Sequence, residues 1–391
     1  MSELRTLHVS TPGAEVRKCG EMLQVWIEGR RKLTVRLYDL EVVHLYARAH
    51  LTAAALQACM SHGVRVAWFA GQRLVARAEP EAPSHVLTRI AQVDRLRDKE
   101  YTLVFVRHLV EAKLRSQRAV LLRWRLARSE PTLVKSLDCA AQLLEQGLGA
   151  LAESPSVDTL RGLEGMAAVN HFGGVAAVLD PSWQFRGRIA HPPRDAVNAI
   201  LSFGYVVLCN ELAGLIQAVG LDPAIGVLHG LRSGRDSLAL DVVEPFRAPI
   251  IDALVVPLLN RGMVRPEHFE PEPHGVVHLS AEGRKVFLRN YELWMRAPYR
   301  GRAIFGGLPG QGTASDCWRH ALRAQVLLVR NAIIHRVLPE WLWSQQSGPE
   351  AGLEFAERRK ARAPAQSKRA QRKAKVDKKK SDGNSAGDDT E

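Results

Sequence analysis

The sequence predicts an α+β protein: a small N-terminal β-rich domain over residues 1–77, a linker over 78–88, a larger and mainly α-helical domain over 89–345, and a disordered basic tail over 346–391. Three observations predict it. Apolar residues alternate with period two before residue 80, recur every three or four residues in the body of the chain, and almost vanish beyond Phe355, where Lys and Arg accumulate.

In chain order, Leu23, Val25 and Ile27 alternate with Gln24, Trp26 and Glu28, and after Gly29-Arg30 the apolar set is Leu33, Val35 and Leu37. Period two on both sides of a glycine turn makes a hairpin, with Trp26 on the face opposite the apolar set. A large aromatic exposed there calls for a cover, and a second copy of the chain is the expected one. Thr52 is placed to cap a short alanine-rich helix. Val64, Val66 and Trp68 read as a further strand, and Leu74 to Ala76 as another. Ala78 to Ser84 holds two prolines and no apolar period, which marks the linker. Leu103, Val106, Leu109, Val110 and Leu114 then keep helical spacing, with Lys113 and Arg118 among the intervening polar positions. A long helix is expected from Pro193 to Val219, opened by proline in its first turn and closed by Gly220. Gly306 to Gly312 lacks the Lys-Ser/Thr pair of a phosphate-binding loop and reads as a flexible connection.

Composition bounds the function. The 391 residues, 46% of them hydrophobic, supply more than one domain's core. Cys19, Cys59, Cys139, Cys209 and Cys317 lie far apart without a C-x-x-C pair, so neither a disulfide framework nor a thiolate zinc site is indicated. No stretch reads as a membrane span or as the apolar core of a leader peptide, and a cytoplasmic protein without a membrane partner is expected. The net charge is +13, and Arg358 to Lys380 holds twelve Lys or Arg against one acid. Such a segment cannot bury enough surface to offset its ordering entropy. Removing the twelve bases and six acids from Glu357 onward leaves the body at +7, so binding to a polyanion does not rest on the tail.

The candidate chemistry lies between Gly220 and Arg247, where His229, Asp241 and Glu244 stand inside this basic chain. Imidazole and carboxylate are ligands for Mg²⁺ or Mn²⁺, and a divalent ion held by acids activates water or a sugar hydroxyl against a phosphodiester. Asp241 and Glu244, three apart, share one face if the segment is helical. Pro245 leaves open a helix that begins beside it, with the two acids in its first turn. Glu164, between Gly162 and Gly165, reads as part of a helix-start loop where the backbone can approach a partner. Singly, each residue also reads as a solvated acid or a hydrogen-bonded core histidine.

Three ordered blocks carry a further reading: Arg161-Gly162-Leu163-Glu164-Gly165 with Ala168; Pro192-Pro193-Arg194-Asp195 running into Asn198 through Tyr205; and Gly220-Leu221-Asp222-Pro223 through Leu228-His229, Gly234-Arg235, Leu238 to Asp241, Glu244 and Phe246-Arg247. Together they resemble the signature of the CRISPR-associated integrase, the Cas-one family. Fainter matches at Lys113 with Gln117-Arg118 and at Leu279 to Lys285 extend the resemblance over roughly Leu7 to Arg330. It implies Mg²⁺ or Mn²⁺ held by Glu164, His229 and Glu244, with Asp241 in close support. It also implies insertion of short foreign DNA fragments into a CRISPR array, by attack of a 3′-hydroxyl on a repeat phosphodiester, and endonuclease activity when water is the nucleophile. The implied partners are double-stranded DNA, a second copy paired through the β-rich domain, and a small ferredoxin-like Cas-two protein in a heterohexamer-type complex. Asn170-His171-Phe172 departs from the tyrosine-phenylalanine often found there, and the basic tail lies outside the pattern.

Arg186, Arg188, Arg194 and Arg235 flank the blocks and suit DNA phosphates, because guanidinium bonds phosphate oxygens in pairs. Lys113 and Arg118 are further candidates. Asn198, Ser202 and Tyr205, at i, i+4 and i+7, form a polar stripe expected to face the metal site and the DNA. The alternative from another class is a non-catalytic architectural DNA-binding protein in which the acids and histidine only stabilise the fold.

Overall fold

The computed structural model describes residues 5–46, 48–70, 73–80, 85–189, 192–297 and 317–337. The Gly306 to Gly312 connection, the tail from 346 and the centre of the linker, 81–84, lie outside the described residues.

In chain order the N-terminal part comprises β1 (Arg5–Val9), β2 (Glu15–Cys19), β3 (Met22–Ile27), β4 (Arg30–Arg36), β5 (Leu40–Tyr46), β6 (His50–Leu51), α1 (Ala53–Ser61), β7 (Arg65–Ala70) and β8 (Arg73–Ala78). One sheet has the order β1-β5-β7-β8, its first three strands parallel and β8 antiparallel to β7. The other runs β4-β3-β2-β6. The expected hairpin is β3–β4, with Leu23 opposite Val35 and Val25 opposite Leu33. Its turn residues Glu28 and Gly29 both take positive φ, 51° and 72°, the twist that matches a two-residue hairpin. Thr52 caps α1 as expected, its hydroxyl accepting the Ala55 N–H at 3.2 Å.

Two expectations for this hairpin need correction. Leu33 is 45% exposed on β4, an edge strand, while Leu37 leaves the strand for a 3₁₀ turn and is buried there. Trp26 is only half-buried and not bare. The neighbouring β2 sets Glu15 opposite Trp26 and Arg17 opposite Gln24, so the Arg17 guanidinium lies 5.0 Å from the indole centre, and the indole N–H donates to Gln24 Oε1 at 3.2 Å. Long polar side chains within the sheet therefore supply part of the cover that a second copy was expected to give.

Strand alternation in the first sheet explains where the cores sit. Val43, Leu45 and Val66 face Leu23, Val25, Ala55 and Cys59, whereas Tyr46, Ala67 and Phe69 belong to the core of the helices that follow. Tyr46 stacks on Phe69 at 4.8 Å and lies 6.0 Å from Phe203. Both faces of this sheet are covered, which is the usual condition for parallel strands.

The remaining elements are α2 (Val86–Arg97), α3 (Lys99–Leu126), α4 (Pro131–Ala150), α5 (Val157–Val178), α6 (Ala196–Ala218), α7 (Ser237–Phe246), a π-helical segment over Arg247–Asp252, α8 (Ala253–Asn260), β9 (Phe269–Pro271), β10 (Val277–Leu279), α9 (Ala281–Arg296) and α10 (Trp318–His335). The helix expected from Pro193 starts three residues later, at Ala196. The Asp195 carboxylate caps it, accepting the Asn198 N–H at 2.8 Å, and this takes precedence over a proline start. By length and composition α6 is apolar enough to cross a membrane, contrary to the sequence reading, yet 83% of its most apolar window is buried within the fold. A helix apolar all round is here the central core helix. Around it, α3 packs against α4, α5 and α7, and those contacts position the site.

Candidate active site

Three helices and one loop supply the side chains. Ser156 caps α5, its hydroxyl accepting the Thr159 N–H at 3.1 Å, so Glu164 lies two turns inside a helix and not in a helix-start loop. Asp241 and Glu244 both project from α7, which begins at Ser237 and settles the alternative that Pro245 left open. Pro245 cannot bond the Asp241 carbonyl, and the backbone widens into the π-helical turn directly after it. The loop before α7 presses on it so closely that a Cβ at Gly226 would lie 2.5 Å from the Ser237 carbonyl carbon. Glycine at 226 is a packing requirement.

Asp241 shapes that loop. Its oxygens accept the N–H groups of Val227 at 2.6 Å, Leu228 at 3.1 Å and His229 at 3.0 Å, and His229 Nδ1–H at 2.7 Å. Fixing Nδ1 in this way turns Nε2 outward, 3.7 Å from Glu244 Oε1. The loop carbonyls are gripped from outside: Arg161 Nε donates to Leu228 O at 2.7 Å, and Arg235 donates to His229 O and, at 3.2 Å, to Gly230 O.

Glu164 and Glu244 converge on one cation, the Lys113 ammonium from α3. It bonds Glu164 Oε1 and is ion-paired with Glu244 Oε2 at 2.6 Å. Lys113 is 7% exposed and Glu244 3%. Burial disfavours both charges, but Glu244 and Glu164 raise the Lys113 pKa on balance, and Arg247, Lys113 and His229 hold the Glu244 carboxyl well below the ordinary range. Arg247, one turn beyond Glu244, reaches its Oε1 at 3.2 Å and lies 5.0 Å from the Tyr205 ring centre; Arg188 lies 5.4 Å from the same ring. Tyr205 in turn donates to Asp252 Oδ1 at 2.5 Å, and His171 Nε2–H donates to Asp252 Oδ2 at 2.8 Å. A polar network thus runs from the acids into the core.

Two carboxylates meeting on one cation, with an imidazole turned to the same carboxylate, form a donor set that suits Mg²⁺ or Mn²⁺. As the side chains stand, no three His, Cys, Asp or Glu donors among the described residues are grouped to hold a metal, and Lys113 lies between the two glutamates. The donors fit the ion in kind, with the ammonium in the central position.

Residues 7–293 match the family described as CRISPR associated protein Cas1. The chain belongs to the Cas1 family. It is 35% identical over 294 residues to the CRISPR-associated endonuclease Cas1 1 of Moorella thermoacetica, a match spanning 74% of this chain and 85% of that protein. Among solved structures, a casposase bound to integration product shares the fold with a TM-score of 0.72 and 21% identity, over 88% of this chain and 94% of that one. A chain of a Cas6-RT-Cas1–Cas2 complex does so with a TM-score of 0.72 and 18% identity, over 89% of this chain and 37% of that longer one.

Within this Cas1 family chain, the structure gathers Glu164, His229, Asp241 and Glu244 into one cluster. It treats the DNA-contact candidates differently. Arg186 and Arg194 are exposed. Arg188 donates to Asn198 Oδ1 and Ser202 Oγ at 2.8 and 2.9 Å, and Arg118 pairs with Glu145 at 2.8 Å. Asn198, Ser202 and Tyr205 are buried: the stripe faces Arg188 and Asp252, and meets the acid cluster through Arg247. Enclosed groups cannot touch a duplex directly, so the stripe holds arginines in place. Lys113 and Arg235 are likewise bound up within the site. Sequence reasoning missed Arg247, Asp252 and His171 as site neighbours. Arg247, three residues after Glu244 on a helix, was open to discovery from spacing; Asp252 and His171, 81 residues apart, were not.

Proposed function

We propose that this Cas1 family chain is a divalent-metal-dependent DNA endonuclease and strand transferase that inserts short foreign DNA fragments into a CRISPR array. The observation that carries the reading is the convergence of Glu164 and Glu244 on one cation beside the Nε2 of His229. Mg²⁺ or Mn²⁺ would be held by Glu164, His229 and Glu244, and when bound would supply Lewis-acid stabilisation of charge at the phosphodiester. The chain's own residues do the rest. Asp241 fixes the tautomer and direction of His229, Arg161 and Arg235 brace the loop beneath it, and Arg247, seated on Tyr205, keeps Glu244 ionised. Arg186 and Arg194, both exposed, suit backbone phosphates of double-stranded DNA. Family membership further supports a second copy of the chain and a small ferredoxin-like Cas-two protein as partners, acting in the cytoplasm.

The bridging by Lys113 favours one other reading, an architectural DNA-binding protein whose acid cluster is purely structural. A strand-transfer and branched-DNA cleavage assay separates the two. Activity with Mn²⁺ that EDTA abolishes, and that His229→Ala lowers by roughly 10³-fold or more while duplex binding persists, is expected, because phosphate contacts elsewhere carry the affinity. Tight binding without any cleavage in either metal would instead establish the architectural role.

A further inference from the structure

Lys113 is the least expected member of the cluster. It leaves α3 from a wall of buried Leu109, Val110, Ala112 and Leu114, and its ammonium is the group on which an acid of α5 and an acid of α7 meet. With Asp241 and Arg247, the immediate neighbours of His229 and Glu244, three carboxylates face two monovalent cations. A divalent ion in place of the ammonium would meet the same two carboxylates.

We propose that Lys113 is the resident cation of this cluster and that a divalent ion binds by exchange with it, the ammonium and the metal holding Glu164 and Glu244 in turn. The inference rests on the metal-centre reading above. Two carboxylates on helices that both pack against α3 repel one another when no cation lies between them, which would loosen the contacts of α3 with α5 and α7. Lys113 lets these helices close without metal. The same ion pairs must be given up when metal enters, so the exchange weakens the apparent metal affinity.

The test uses the purified full chain and Mn²⁺ alone. Lys113→Met, which keeps the stem and removes the charge, is expected to melt at least about 5 °C below wild type in EDTA and to regain the wild-type midpoint in saturating Mn²⁺. Calorimetric titration should find Mn²⁺ bound at least tenfold tighter than in wild type. In the wild-type chain, acetylation of the Lys113 amine, followed by peptide mass spectrometry, should quicken at least fivefold when Mn²⁺ is added, and this measurement decides the matter if the variant does not fold. Unchanged or weaker Mn²⁺ binding by Lys113→Met, or acetylation indifferent to Mn²⁺, overturns the exchange and leaves the metal centre standing. A wild-type chain that binds no Mn²⁺ overturns both.

Discussion

Asp241 shows how one buried carboxylate can set a site without being its reactive group. Four donors from a single loop end on its two oxygens, so changing it alters where His229 stands before it alters any charge at the surface. Asp241→Asn should keep the fold but lower Mn²⁺ affinity about 10- to 100-fold, the usual effect of losing an orienting partner. A titration of Mn²⁺ checks this, and an unchanged affinity would show that the loop is held by Arg161 and Arg235 alone. Glu244 makes a different statement, about pH. Its folded pKa is depressed from 4.5 to about 2, so the stability it contributes is complete above 4.5 and is lost as pH falls toward 2. Urea denaturation between pH 5 and 3 should therefore show a shallower loss of stability in Glu244→Gln than in wild type. The acids and the histidine were singled out through the resemblance of whole sequence blocks to the family, since singly their types and spacing fit solvated acids and a core histidine equally well. Lys113 was marked in the sequence as a DNA contact and not as a member of the acid cluster, since a lysine between apolar positions normally reaches water, whereas the meeting of three helices encloses it.

At the scale of elements, what the sequence could reveal depended on periodicity. The hairpin, α1 and the helical body announce themselves through period two, a capping threonine and three-four spacing. The central strand β5 does not: Leu40, Val42, Val43, Leu45 and Tyr46 form a nearly continuous apolar run, and a strand buried on both faces has no polar face to betray its period. The start of α6 was misplaced for a related reason, since a proline and an aspartate two residues apart both signal a helix start and only geometry selects between them. The contact between the His229 loop and α7 gives a sharp test. Gly226→Ala must push apart two stretches of backbone that cannot move separately, and should cost about 1–3 kcal/mol in urea denaturation while displacing His229. A neutral substitution would mean that the loop is looser than its packing indicates.

Over the whole molecule, charge and coupling matter more than any one contact. Deleting residues 357–391 removes twelve cations and should reduce the salt dependence of duplex binding, while the response to Mn²⁺ and EDTA and the position of cleavage stay those of the full chain. Binding measured from low to high salt decides it. The sequence reading of a separate N-terminal domain could not show that one sheet lines both cores, because that depends on which side of each strand meets the helices. Arg77 on β8 adds a direct tie, donating to Asp236 at 2.5 Å and to Asn210 at 2.8 Å, and Asp236 precedes the helix that carries Asp241 and Glu244. The tie has a consequence in time. Amide protons in the first turn of α7 should exchange with solvent only as fast as β8 lets go, so the His229 loop and the edge of the sheet breathe as one unit. Arg77→Ala should uncouple them, quickening exchange over residues 224–240 roughly tenfold while β5 and β7 keep their protection.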